Sequence, residues 1–128
     1  MLLCLLISCK KENQNIPQIQ KPLPAIVIND AKSVSIDTVL INSFKSKTLK
    51  QFYLSSDNKT IWGNTAKRSY VLAQLKNSEE LGLNPNDYRV KKMESFEARF
   101  NILSDRELAE YDLFLTHNFE KYLIHLYE

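Results

Sequence analysis

The sequence predicts an all-α fold: a small helical bundle, preceded by a signal segment and a tether. Three observations lead there. Toward the C-terminus Leu108, Tyr111, Leu115, Phe119, Tyr122 and Leu126 recur every three or four residues, the period that gathers side chains on one helix face. Two glycines serve 128 residues and no hairpin dipeptide occurs, so the positive φ angles of tight β-turns have few residues to supply them. No apolar–polar alternation lasts long enough to make a half-buried strand.

The first element is a signal segment, residues 1–8. Met1 to Ser8 reads MLLCLLIS, an apolar run that ends on a small residue before Cys9 and turns polar at once with Lys10, Lys11 and Glu12. Such a run reads as an export signal. Leu6-Ile7-Ser8-Cys9 resembles the lipobox of bacterial lipoproteins, which makes Cys9 the acylation candidate. Acyl chains contribute about 0.8 kcal/mol per buried methylene, enough to anchor a domain at a membrane without a spanning helix. The run is short and no Lys or Arg precedes it, which leaves open a start upstream of Met1; the alternative is an apolar N-terminus without a role. Cys4 would leave with the signal, so the mature chain would keep one cysteine and no internal disulfide.

Residues 9–34 form the tether, rich in Lys, Asn and Gln, with Pro17, Pro22 and Pro24 blocking regular helix. Within it Ala25-Ile26-Val27-Ile28 is either an isolated strand or linker that docks onto the fold. The helical domain spans residues 35–128. Ile41, Phe44, Thr48 and Phe52 are spaced as a helix that Ser43 to Lys47 could divide in two, followed by a polar turn from Ser55 to Lys59. The next helix, capped by Asn64 or Thr65, runs to Leu81 and stops at Gly82 in the left-handed conformation. Asn84 and Pro85 are a cap and first residue for a helix through Met93, Phe96 and Phe100. Ser104 and Glu107 make a capping box, so the last helix runs from Asp105 nearly to Glu128.

Several chemistries are excluded or weakly supported. Both cysteines lie in the signal region, so no thiol nucleophile stands near a histidine. Gly63 and Gly82 are isolated and make no phosphate loop. His117 and His125 are two helical turns apart, too far for one ion without a third element, and read as packing residues; no metal and no cofactor are expected. Asp112 stands in a broad apolar face and needs a partner, read as a structural hydrogen bond or an ion pair for which Arg68 is a candidate, with general acid or base work the alternative, while Thr116 is expected to bond the backbone one turn back. Trp62 with Tyr53 is either a small stacking surface or core, and core is the simpler reading. Asn58-Lys59-Thr60 fits a glycosylation pattern that carries little weight behind a bacterial signal. A net charge of +2, spread along the chain, argues against a nucleic-acid partner.

Taken in order, Phe52-Tyr53, Trp62, Arg68, Leu72, the run Glu80 to Tyr88 (ELGLNPNDY), Asp112 to Thr116, Phe119, Tyr122 and His125-Leu126 resemble the N-terminal scaffold domain of the large L,D-transpeptidases of Gram-negative bacteria. The resemblance covers about residues 48 to 128. It implies a downstream catalytic domain with a Cys nucleophile and a His in a Ser-His-Gly-Cys type motif, which cross-links diaminopimelate residues of peptidoglycan stems through a thioester. None of those residues occurs here, so no catalytic residue is carried over. The positions that match are Phe52, Tyr53, Trp62, Arg68, Gly82, Leu83, Pro85, Asp87, Tyr88, Asp112, Thr116 and Tyr122. The expectation is a non-catalytic piece whose partners are its own catalytic domain, peptidoglycan indirectly, and a membrane through the lipid on Cys9, facing the periplasm. The chain is further expected to be cut short at Glu128. The alternative is a freestanding lipid-anchored adaptor that binds an envelope partner through its last helix.

Overall fold

The computed structural model describes residues 33–128. The expectations for the signal, for Cys9 and for the Ala25 to Ile28 run lie outside the described residues. Among the latter are five α-helices: α1 (Thr38–Asn42), α2 (Lys47–Ser55), α3 (Thr65–Lys76), α4 (Val90–Ala98) and α5 (Asp105–Tyr127). Short 3-10 turns at Ser78–Leu81, Pro85–Tyr88 and Phe100–Ile102 join them. An antiparallel bridge, Ser35 to Lys59, tucks Val34 and Ile36 against the helices.

Local side chains set most helix starts. Asp37, Ser46 and Asn64 accept hydrogen bonds from Val39, Leu49 and Lys67 amides and cap α1, α2 and α3. Ser104 and Glu107 form the reciprocal box at α5, with bonds of 3.1 and 3.0 Å. The Ser46 cap has a second effect. It starts a new helix instead of extending α1, as the division at Ser43 to Lys47 allowed, and resets the phase: Leu49 and Tyr53 are buried, while Thr48 and Phe52 face outward.

The central region departs from the expected two long helices. α3 ends at Lys76, and the chain tightens into the 3-10 turn Ser78–Leu81, where the buried Ser78 hydroxyl donates to the Leu75 carbonyl. Gly82 closes that turn at φ 82°, a conformation in which a Cβ is costly. Asn84 caps and Pro85 opens only a 3-10 turn, because Arg89 takes a left-handed φ of 54° before α4 begins. Tyr88, Val90 and Met93 are all buried. Residues two apart point to opposite sides of one α-helix, so the kink at Arg89 is what lets Tyr88 and Val90 enter the same core.

α5, 23 residues and about 34 Å long, has two buried faces. Tyr111, Leu115 and Tyr122, with Leu108, Phe119 and Leu126 half-covered, pack with Val71, Leu75, Tyr88 and Met93; this is the stripe that the periodicity predicts. Ala109 and Leu113 face a second cluster with Ile36, Ile41, Leu49 and Tyr53, which the periodicity does not reveal. At about 100° per residue, Asp112 and Thr116 fall on the seam between the two faces.

Candidate functional site

The seam is where the polar chemistry concentrates. Asp112 is buried on α5, and its carboxylate accepts from the Tyr53 hydroxyl at 2.6 Å, from the Trp62 amide at 2.8 Å and from the Ile61 amide at 3.1 Å. The indole N–H of Trp62 donates to Thr116 Oγ1 at 2.7 Å, and that hydroxyl lies 2.7 Å from the Tyr53 oxygen. With the Tyr53 proton directed at Asp112, Thr116 donates to Tyr53. The result is one directional chain, from indole to threonine to tyrosine to carboxylate. Each link polarises the next.

Arg68 approaches the same loop from the other side. Its guanidinium donates to the Trp62 and Gly63 carbonyls at 3.0 and 2.9 Å and to Glu97 at 2.8 Å, and its carbon sits 3.4 Å from the Phe100 ring centroid. Glu97 also accepts from the Tyr111 hydroxyl at 2.6 Å. The loop before α3 is thus held by its amides from Asp112 and by its carbonyls from Arg68. Its entry turn is built for this, since Asp57 and Asn58 both take left-handed φ, at 60° and 54°, which short polar residues tolerate best.

Burial raises the Asp112 carboxyl above its ordinary range, while the Tyr53 hydroxyl, the Trp62 and Ile61 amides and the Arg68 charge pull it back down. Burial and the neighbouring carboxylate push Tyr53 far up, so it remains a hydroxyl and a donor. Burial, then Glu97, does the same to Tyr111. The space beside Asp112, bounded by Trp62, Phe100 and Tyr111, is about 10 Å³, room for one water at most. This arrangement fixes a loop to a helix and, among the described residues, leaves room at the carboxylate for no more than a water.

A protein-family model described as Scaffold domain matches residues 47–128. The chain belongs to that family. The match begins at the first residue of α2 and is consistent with the scaffold domain of L,D-transpeptidase-like proteins. No curated protein and no solved structure matches the chain.

The scaffold domain brings its motif positions together in two groups. Tyr53, Trp62, Arg68, Asp112 and Thr116 form the clamp just described. Two expected contacts are corrected there. Arg68 bonds Glu97 and the loop carbonyls instead of pairing directly with Asp112, and Thr116 bonds Trp62 and Tyr53 instead of the backbone one turn back. Tyr53 is fully buried and Trp62 meets Phe119 edge-on, so they are core and not an exposed stacking surface.

The second group surrounds Tyr88, whose hydroxyl lies 2.7 Å from His125 Nδ1 and whose ring meets Tyr122 edge-on. Gly82, Leu83 and Pro85 lead the chain into it, Leu83 half-packed on the core. Asp87 is exposed, and its carbonyl accepts from Lys121. Phe52 stands apart, exposed beside Tyr53. His117 packs on Phe44 while His125 serves Tyr88, so the two histidines belong to different neighbourhoods. Cys9 lies outside the described residues. The sequence reading missed Glu97 and Tyr111 as clamp residues. A signal existed: Glu97 sits four residues after Met93, a carboxylate on the apolar side of its helix.

Proposed function

We propose that this chain is the non-catalytic scaffold of a cell-envelope L,D-transpeptidase involved in peptidoglycan cross-linking. Lipid on Cys9 holds it at a membrane facing the periplasm, and it positions a Cys-dependent catalytic domain supplied beyond these residues. The observation that carries the reading is the clamp of Asp112 and Arg68 on the Ile61 to Gly63 loop, set within the family match. Buried polar groups there satisfy one another and the backbone, which suits a part whose work is to keep a fixed shape. A fixed shape is what orienting a second domain requires.

The test is made in the native cells. Metabolic labelling with a palmitate analogue is compared between the parent and Cys9→Ser, the product mass is read by immunoblot, and cell-wall stems are analysed for direct diaminopimelate cross-links. The expected outcome is a labelled product several times heavier than 14.9 kDa, with label lost in Cys9→Ser and cross-links lost in Asp112→Ala. A product near 14.9 kDa with unchanged cross-links rejects the transpeptidase reading in favour of the lipid-anchored adaptor.

A further inference from the structure

The start of α4 carries a cluster of cations with few acidic neighbours. Lys76, Arg89, Lys91 and Lys92 line a groove of about 500 Å³, where the single lining acid, Glu94, is engaged by Lys76 at 3.3 Å. Arg89, Lys91 and Lys92 make no ion pair among the described residues. Arg89 and Lys92 instead converge on one ring, 5.5 and 4.8 Å from the centroid of Phe114. Two like charges beside a single aromatic ring repel each other.

Their placement also opposes the local helix. No acidic residue lies in the first turn of α4, and cations near a helix N-terminus are unfavourable. None of the clamp residues lines this groove. Three exposed cations without a carboxylate partner, two of them crowded on one ring, suit an anion that arrives from outside.

The shape narrows the class of anion. The surface is concave, with Pro85, Asn86 and Val90 offering apolar contact and an amide, which suits a short extended segment better than a flat bilayer. Through Lys92 it adjoins a second hollow of about 240 Å³ lined by Phe44, Phe96, Leu113, Phe114 and Glu110, the last engaged by Arg106 at 3.0 Å, sized for one large apolar side chain. We infer that this double groove binds an extended peptide segment bearing two or more carboxylates next to a large apolar residue. The carboxylates sit among Arg89, Lys91 and Lys92, and the apolar side chain enters beside Phe114. Salt weakens such binding, because the cations are exposed.

The inference goes beyond the scaffold reading and needs no catalytic domain to test. The full 128-residue chain is titrated against a fluorescent octapeptide in which Glu and Asp flank one Phe, with the Gln and Asn version as control. Phosphatidylglycerol vesicles serve as competitor. The expected result is saturable, salt-sensitive binding that falls at least tenfold in Lys91→Glu/Lys92→Glu and for the amide control. The melting temperature of that exposed double variant should hold or rise, which separates lost binding from lost folding. Absent binding, equal binding by the variant or by the amide peptide, or vesicle binding that the peptide does not displace each overturns the proposal. These outcomes are read on the chain alone, so failure here leaves the transpeptidase reading untouched, and the reverse holds.

Discussion

The two halves of α5 share one helix and one apolar stripe, yet they live in different surroundings. In the first half Ala109, Tyr111, Asp112, Leu113 and Leu115 are buried, wrapped by α2, α3, α4 and the clamped loop. In the second half Asn118 and Tyr122 are buried, while Leu123, Ile124 and Tyr127 are exposed, Tyr127 at 84%. A repeating pattern along a helix therefore states which residues prefer burial, and the number of elements around each turn decides how many achieve it. The polar clamp sits where the helix is enclosed on two sides, and unpaired polar groups there would be costly.

The largest effect expected from this contrast is at Asp112. Asp112→Ala leaves the part-buried Ile61 and Trp62 amides without their acceptor and takes one of three partners from the Tyr53 hydroxyl, and should cost about 2–4 kcal/mol in urea unfolding followed by circular dichroism. A cost no greater than that of an exposed substitution in the second half would break the comparison. Thr116→Val, nearly the same shape, leaves the Trp62 indole N–H without its acceptor and should cost about 1–2 kcal/mol. A neutral result would mean that the indole reaches another acceptor.

The third prediction concerns acid. Burial raises the folded pKa of Asp112 above its ordinary 3.8, so the folded chain holds that proton more tightly than the unfolded chain. The share of stability linked to this proton is therefore fully present below 3.8 and is lost as pH rises through the folded value, while the hydrogen bonds of the carboxylate remain. The stability of the wild type relative to Asp112→Asn should fall across that window, measured by urea unfolding at stepped pH, and the Asp112 carboxyl carbon should titrate above 3.8 by NMR. The opposite slope would show that the hydrogen bonds outweigh burial. Glu107, held below its usual range first by its bond to the Ser104 amide, contributes with the other sign, its share being lost as pH falls through its folded value.

The smallest effects belong to the second half. Leu123→Ser and Tyr127→Ser should each change stability by no more than about 0.5 kcal/mol. A larger loss in either would mean that this end of the helix is covered in solution, and would sharpen the comparison into a search for what covers it.

Much of this architecture is legible in the residues themselves. The Ser104 and Glu107 box, the Asn64 cap, the left-handed Gly82 and the stripe from Leu108 to Leu126 rest on interactions within about one or two helical turns, so the sequence near each position contains all the partners involved. The need of Asp112 for a partner is equally local, since a carboxylate among apolar neighbours states it. The identity of that partner is not. Its donors include main-chain amides 50 and 51 residues away, and a backbone N–H carries no residue type by which a pattern could single it out. The kink at Arg89 and the second buried face of α5 were likewise decided by tertiary packing: each places side chains against surfaces assembled from distant segments, which exist only once the chain has folded.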